Sequence, residues 1–471
     1  DDHAAHALSC YGSKVNTTPE LDRLARGGLR FDRAFVTNSI CTPSRASLLT
    51  GQYSHLNGVP VFNRFDGARD TVAKRLRAAG YHTGVIGKWH LGGEPTGFDE
   101  WDILPGQGVY VDPTFVSPAG RRVVKGHVTD LITERGIEFL EHRPADQPFF
   151  LMLHHKAPHR EWTPAERHRA EWAGRVVPEP DTLFDDWSSR TDALHENRQT
   201  IARDLNRFDL KLVPRAAFAS DADRRRWFSA APEDGEVEAG DGRVLRGDEL
   251  TRWKYQRFMQ DYLACVQGVD ESVGRVLDWL DAHGLAENTL VVYSSDNGFF
   301  LGDHGLFDKR FMYEESLRVP LIVRWPAAIA AGTSTQELVL NLDLPETFLE
   351  VAGLPVPETM QGRSLAPFFR GGTPSAWRQA FYYRYYHDPG DHDTRAHYGV
   401  RTKTRKLVHF WRKGQWELFD LEHDPHELVN LAADPGYAQE FEALKRGLLR
   451  IKFQLGDEDQ FADTQLPYAA D

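Results

Sequence analysis

The sequence predicts an α/β protein: one large, mostly parallel sheet flanked by helices, then a smaller carboxyl-terminal α+β domain built on a short antiparallel sheet. Three observations predict it. A helical pattern followed by a short apolar run recurs at 70–79 with 83–86, at 129–141 with 149–153, and at 254–283 with 289–293, the alternation that builds a parallel sheet. After a Gly- and Pro-bearing stretch at 353–374 the chain turns to short aromatic strands. A chain of 471 residues, 41% hydrophobic and 27% charged, suits one large core with a companion.

Thr18 caps and Pro19 opens a first helix, whose Leu21, Leu24 and Ala25 form an apolar face before Gly27-Gly28 ends it. A second helix starts near Pro43. In the third, Val72, Leu76 and Ala79 face inward, and Gly80 turns the chain into a strand. The runs at 149–153 and 289–293 are far too short to cross a bilayer and read as buried strands. Strands at 319–323 and 338–340 continue the sheet, and 344–351 is a covering helix. Beyond it, 381–386, 407–411 and 416–419 are aromatic strands and 441–451 is helical. The large domain is therefore placed at 1–365 and the smaller one at 376–471, with an irregular surface insertion at about 170–250, where periodicity is weak. The chain opens on Asp1-Asp2 with no apolar run ahead of them, so the first strand of the sheet is expected upstream, and no leader is present to read.

Lys plus Arg number 56 against 69 Asp plus Glu, a net charge of -13 with no long basic stripe. Duplex nucleic acid and anionic membranes are unsuited partners, and an anionic small substrate needs a local positive pocket. Cys10, Cys41 and Cys265 are too few and too scattered for a disulfide framework or a thiolate zinc cluster.

Polar clusters follow three predicted strands, where open α/β sheets place ligands. In Gly87-Lys88-Trp89-His90, an extended backbone puts Lys88 and His90 on one side; the plain alternative is a surface lysine beside a structural histidine. His154-His155-Lys156-Ala157-Pro158-His159 is a basic turn in which Pro158 stiffens the approach to His159, the other two histidines suiting packing or hydrogen bonding. Asp296 and Asn297 offer hard oxygen donors, or form an ordinary Asp-Asn-Gly turn. If Asp1 and Asp2 converge with them, the mutual repulsion of three carboxylates implies a cation, Ca²⁺ or Mg²⁺ rather than zinc. In Cys41-Thr42-Pro43-Ser44-Arg45, the proline places Cys41 just outside a helix start that favours an anion, with Arg45 one turn on.

The eleven residues from Cys41 to Gly51 resemble the signature of the type I sulfatases, the formylglycine-dependent members of the alkaline phosphatase-like superfamily. The resemblance extends through Asp1-Asp2, Thr18 to Ala25, Gly87 to His90, Ala157-Pro158-His159, Asp296-Asn297-Gly298 and Gly302 to Lys309. It implies that Cys41 becomes formylglycine through a formylglycine-generating or anaerobic sulfatase-maturating enzyme. Asp1, Asp2, Asp296 and Asn297 would be calcium ligands, with Mg²⁺ the lesser candidate. Arg45 and Lys88 would be partners of residue 41, and His90, His159 and Lys309 would complete the chemistry. The hydrated aldehyde would attack sulfur with Asp296 as proton acceptor. His159 would protonate the leaving alcohol, and His90 would deprotonate the second hydroxyl so that sulfate is expelled.

The similarity through Gln52 to Val59 and His397-Tyr398-Gly399 looks like glycan sulfatases of the N-acetylglucosamine-6-sulfatase type. A sulfated sugar is the implied partner, and a periplasmic, secreted or lysosomal setting the implied compartment. Arg384, His387, His392 and His397 are expected to reach the sugar from the small domain, with His304 a further substrate contact. The alternatives are a phosphonate or phosphate ester hydrolase with the same centre, and an inactive sulfated-glycan binding protein.

Overall fold

The computed structural model describes residues 1–214, 217, 218, 223 and 235–462. The helix-to-strand rhythm is present: Val72–Ala78 leads to His82–Lys88, Val128–His142 to Phe149–His154, and Gly247–Ala282 to Val291–Ser294. Apolar faces such as Val72, Ala73 and Leu76 are buried as their spacing requires. Strand His82–Lys88 is the pivot, pairing in parallel with Phe149–His154 on one edge and Glu100–Leu104 on the other. An antiparallel hairpin, Thr114–Ser117 and Gly120–Val123, extends this sheet outward. A second sheet runs in the order Val291–Ser294, Leu321–Arg324, Leu29–Phe31, Thr333–Thr335; Leu321–Arg324 is antiparallel to both neighbours. The α/β class holds with mixed sheets: the strand that carries Lys88 is parallel to both neighbours, whereas the strand that leads to Asp296 pairs antiparallel.

Among the described residues, Phe149–His154 and Val291–Ser294 each pair along one edge only, and every residue of both is half-buried. Their carboxyl ends converge on Asp1 and Asp2. Asp2 N donates to Asp296 Oδ1 at 3.2 Å, and His3 N to Ser295 Oγ at 2.9 Å.

The carboxyl-terminal sheet is a four-stranded antiparallel meander, Ala380–Tyr385, His397–Thr402, Arg405–Phe410 and Gln415–Asp420, covered by the helix Ala438–Gln454. It shares its core with the large sheet: one buried cluster runs from Phe31, Phe35 and Val323 through Tyr382, Val400 and Leu407 to Leu448. The insertion carries the short helix Asp192–Glu196 and the hairpin Glu236–Glu238 with Val244–Arg246, while part of it falls outside the described residues. Its Ile201, Leu205 and Leu210 pack against Phe258 and Met259 of the long helix, so it forms part of the wall around the site. Among the described residues no helix is long and apolar enough to cross a membrane.

Candidate active site

The helix Cys41–Thr50 is buried on nearly all sides, with Leu48 alone half-buried. Its polar side chains must therefore find internal partners. Ser44 Oγ accepts from Asn341 Nδ2 at 3.0 Å, and Thr50 Oγ1 donates to Ala46 O at 2.8 Å. Cys41 is the first helical residue rather than lying outside the helix. Pro43 is tolerated inside because first-turn N–H groups have no helical acceptor. Cys41, 1% exposed, lines a cleft of about 880 Å³.

Lys88, at the end of the pivot strand, brings Nζ to 3.8 Å from Cys41 Sγ and forms an ion pair with Asp1. Burial first, and then Arg45, lower its pKa to about 8, although Cys41 opposes the shift. Among the described residues, Arg45 makes its hydrogen bonds and ion pairs with groups other than Cys41. Its Nε and Nη2 lie 2.9 and 2.8 Å from Asp296 Oδ2, and Nη1 lies 2.6 Å from Lys88 O and 3.1 Å from His154 Nδ1. It thus ties the signature helix to three strand ends. Burial alone would raise the Asp296 carboxyl, but Arg45, Lys88 and Lys309 hold it well below the usual range. Lys309 pairs with Asp2, which keeps the ammonium charged despite its burial.

Asp1, Asp2 and Asp296 each place a carboxylate oxygen within 4.8 Å of the others. Asn297 Nδ2 donates to Asp2 Oδ1 at 2.7 Å and to Gly298 O at 2.9 Å; among the described residues the buried Asn297 Oδ1 and Asp1 Oδ1 are left without a hydrogen-bond partner. Two orphaned oxygens beside three carboxylates fit a hard divalent cation. Asp2 holds φ +62, a conformation that costs energy outside glycine. Tyr262 of the long helix secures it, its hydroxyl donating to Asp2 O at 2.8 Å and accepting from Ala4 N at 2.9 Å.

His90 and His159 both line the cleft. Thr42 Oγ1 lies 2.9 Å from His90 O and 3.2 Å from His90 Nδ1. Its single proton goes to the carbonyl, so the ring donates from Nδ1 and keeps Nε2 as a free base. Burial, then Lys88 and Arg45, keep His90 neutral, well below its usual value. His159 Nδ1 lies 2.6 Å from Arg160 O, and its Nε2 lies 3.7 Å from Asp2 Oδ2. Burial, then Lys88, Lys309 and Lys156, push its pKa far down as well. Tyr110 fixes the turn by donating to His159 O at 2.6 Å.

The opposite wall joins distant segments. His392 lies 2.5 Å from Asp204 and 3.0 Å from Asp308, Arg310 pairs with Asp308 at 2.8 Å and Asp391 at 3.2 Å, and Arg160 pairs with Asp209 at 2.6 Å. Of these, sequence reasoning singled out only His392; Asp308 and Arg310 flank Lys309 and could have been found by that adjacency. Four of the five expected substrate contacts, His304, Arg384, His397 and His387, do not line the cleft. His304, 1% exposed, has its Nδ1 2.9 Å from Asp185. Arg384, 1% exposed, is held by Asp457 at 2.6 Å with its guanidinium 4.8 Å from the rings of Tyr386 and Trp411. His397, fully buried, packs 5.8 Å from Phe311 and 5.7 Å from Tyr383. The small sheet is aromatic on both faces, so alternation alone could not tell inward from cleft-facing residues. His387 is half-buried and outside the cleft lining.

Cations balanced by carboxylates at strand ends, beside a residue held at a buried helix start, make a centre for hydrolysing an ester of an anionic group. The chain belongs to the sulfatase family and is a sulfuric ester hydrolase: the sulfatase family model matches residues 1–354, and one described as N-sulphoglucosamine sulphohydrolase, C-terminal, matches 302–454. The family generally uses formylglycine and a divalent cation. The chain is 44% identical over 482 residues, 98% of its length and 86% of the relative's, to an N-acetylglucosamine-6-O-sulfatase of Bacteroides thetaiotaomicron. It is 27% identical over 74% of its length, and 60% of the relative's, to N-acetylglucosamine-6-sulfatase of Homo sapiens. A solved protein in complex with its substrate, D-glucosamine-2-N,6-O-disulfate, superposes with a TM-score of 0.91 at 42% identity, over 99% of this chain and 98% of that one.

Proposed function

We propose that this chain removes the 6-O-sulfate from a glucosamine residue, N-acetylated or closely related, using an oxidised Cys41 and a bound Ca²⁺. The reading is carried by near full-length similarity to a protein named N-acetylglucosamine-6-O-sulfatase. The two groups supply a hydroxyl nucleophile and positive charge against the sulfuryl oxygens. Asp1, Asp2, Asp296 and Asn297 hold the ion, and Arg45 positions Asp296. Lys88 and Lys309 add charge on the side of Cys41. His90 accepts a proton at Nε2. His159 has its Nδ1 proton committed to Arg160 O, so it acts as the acid for the leaving sugar oxygen only after gaining a second proton at Nε2. A bound sulfate ester brings the negative charge that raises its depressed pKa toward that state. Arg310, His392, Asp308 and Asp391, mutually neutralised, suit sugar hydroxyls rather than a second anion.

The test uses matured protein, with intact-mass evidence that residue 41 has lost its thiol. Desulfation of N-acetylglucosamine 6-sulfate is expected to outpace isomers sulfated elsewhere and matched phosphate esters, and Cys41→Ala to abolish it with the fold retained. Turnover by Cys41→Ala at the wild-type rate, or faster phosphate hydrolysis, overturns the reading.

A further inference from the structure

The cleft has a second arm that the sulfated residue does not need. Trp101 and Ile103 share one face of their strand; Ile103 is opposite Val116, and Val116 is opposite Arg121 on the outer hairpin strand. All four line the same cleft as Cys41, and so does Gln107, whose buried Oε1 has no hydrogen-bond partner among the described residues. Ile103 is also opposite Gly87, next to Lys88. Arg121 therefore lies three strand spacings from the strand that carries Lys88, about 14 Å at roughly 4.8 Å each. That span exceeds one pyranose ring, and a cleft of about 880 Å³ sits near the upper end of the roughly 300–1,000 Å³ range for small-ligand sites.

The charges of the two arms differ. Arg160, Arg198, Lys309 and Arg310 each have a carboxylate partner. Arg121 is exposed and, among the described residues, its guanidinium makes no hydrogen bond or ion pair. A guanidinium with no carboxylate partner at the end of an apolar row suits an anion, and the half-buried Trp101 indole suits the face of a sugar ring. Glu94, the exposed acid that also lines the cleft, suits sugar hydroxyls.

We propose that this arm is a second sugar position, taking an acidic sugar joined to the sulfated glucosamine: its ring on Trp101, its carboxylate or sulfate on Arg121, a hydroxyl or amide on Gln107 Oε1. The proposal rests on the desulfation reading above and names the substrate as at least a disaccharide.

The experiment compares kcat/KM of matured wild type, R121Q and W101A on four substrates: glucosamine 6-sulfate, its N-sulfated form, and the 6-sulfated residue linked to a uronic acid or to a neutral hexose. Wild type is expected to prefer the uronate-linked disaccharide. R121Q should lower that rate about five- to tenfold more than the monosaccharide rate, the size of one partly exposed charged hydrogen bond. W101A should lower both disaccharides more than the monosaccharide. Equal wild-type rates on the two disaccharides overturn the proposal. So does an R121Q loss as large on the N-sulfated monosaccharide, which would assign Arg121 to the sulfated residue itself. Calorimetry with the desulfated glucosamine–uronate disaccharide reads the position without turnover. Weaker binding to R121Q supports it and equal binding refutes it, so a failure of the desulfation reading remains separable.

Discussion

Arg45→Ala should destabilise the metal-free protein more than the metal-loaded one. Arg45 is 5% exposed and is the closest cation to Asp296, with Nε and Nη2 at 2.9 and 2.8 Å. Its removal leaves Lys88 O with His154 Nδ1 at 3.1 Å as a remaining donor, so that carbonyl is still satisfied. The principal cost falls on Asp296, a buried carboxylate that has lost its partner, at about 3–5 kcal/mol. At roughly 2 °C per kcal/mol for a large domain, the melting midpoint in EDTA should fall by about 6–10 °C. A bound divalent cation returns positive charge to the same carboxylate, so the loss with Ca²⁺ present should be visibly smaller. The pH dependence follows from the depressed Asp296 value. A carboxyl depressed in the native state contributes fully above its unfolded pKa of about 4 and less as pH falls toward the native value. Without Arg45 burial raises the native pKa, so acid unfolding should begin at higher pH. Scanning calorimetry of both proteins, with EDTA and with Ca²⁺ between pH 3 and 8, checks this as a series bracketing that pKa. A variant that melts with wild type in EDTA, or that Ca²⁺ protects no better than wild type, refutes the assignment of Arg45 as the counter-charge of Asp296.

His159→Ala should cost about 10²–10⁴-fold in kcat/KM on a sugar sulfate, where the leaving alkoxide needs a proton, and far less on a nitrophenyl sulfate; comparable losses on both would remove the acid role. Arg384→Ala should cost about 1.5–3 kcal/mol of stability by removing the guanidinium from Asp457, which keeps the Tyr382 hydroxyl at 2.6 Å and Lys452 at 3.7 Å; the loss is read in urea unfolding, while KM on the sugar sulfate stays near wild type. Glu346 is 1% exposed, and burial, then Asp343, raise its pKa to about 8. A raised carboxyl stabilises fully below its unfolded pKa, and that contribution is lost as pH climbs through the native value. Glu346→Gln should therefore gain in melting midpoint over wild type as pH rises from about 5 toward 8.

The residues legible from sequence were those whose neighbours in the chain are also their neighbours in space. Lys88 and His90 stand at the end of one strand and Asp296 and Asn297 just beyond another, so the strand-end rule singled out all four as candidates. Asp1 and Asp2 gained meaning only through partners nearly 300 positions away, and the oxygen chemistry of Asp296-Asn297 supplied the hint. The far wall was harder, because His392, Asp204 and Asp308 meet through tertiary contacts that leave no local periodicity. Arg384 and His397 were misplaced for the opposite reason: arginine and histidine among tyrosines look like a carbohydrate surface, yet here the guanidinium is buried against rings and a carboxylate. The row from Trp101 to Arg121 depends on strand register, which a one-residue slip changes without any change in composition.

The buried cluster that runs unbroken from Phe31 to Leu448 bears on how this scaffold can be recombined. A carboxyl-terminal segment exchanged with that of another sulfatase at the apparent boundary near 365–376 would cut through one core, leaving Phe35 and Val323 facing side chains they were not shaped for. Transplants intended to change which sugar is accepted belong in the hairpin at 114–123 or the loop at 105–108, where the cleft can change while the shared interior is left alone.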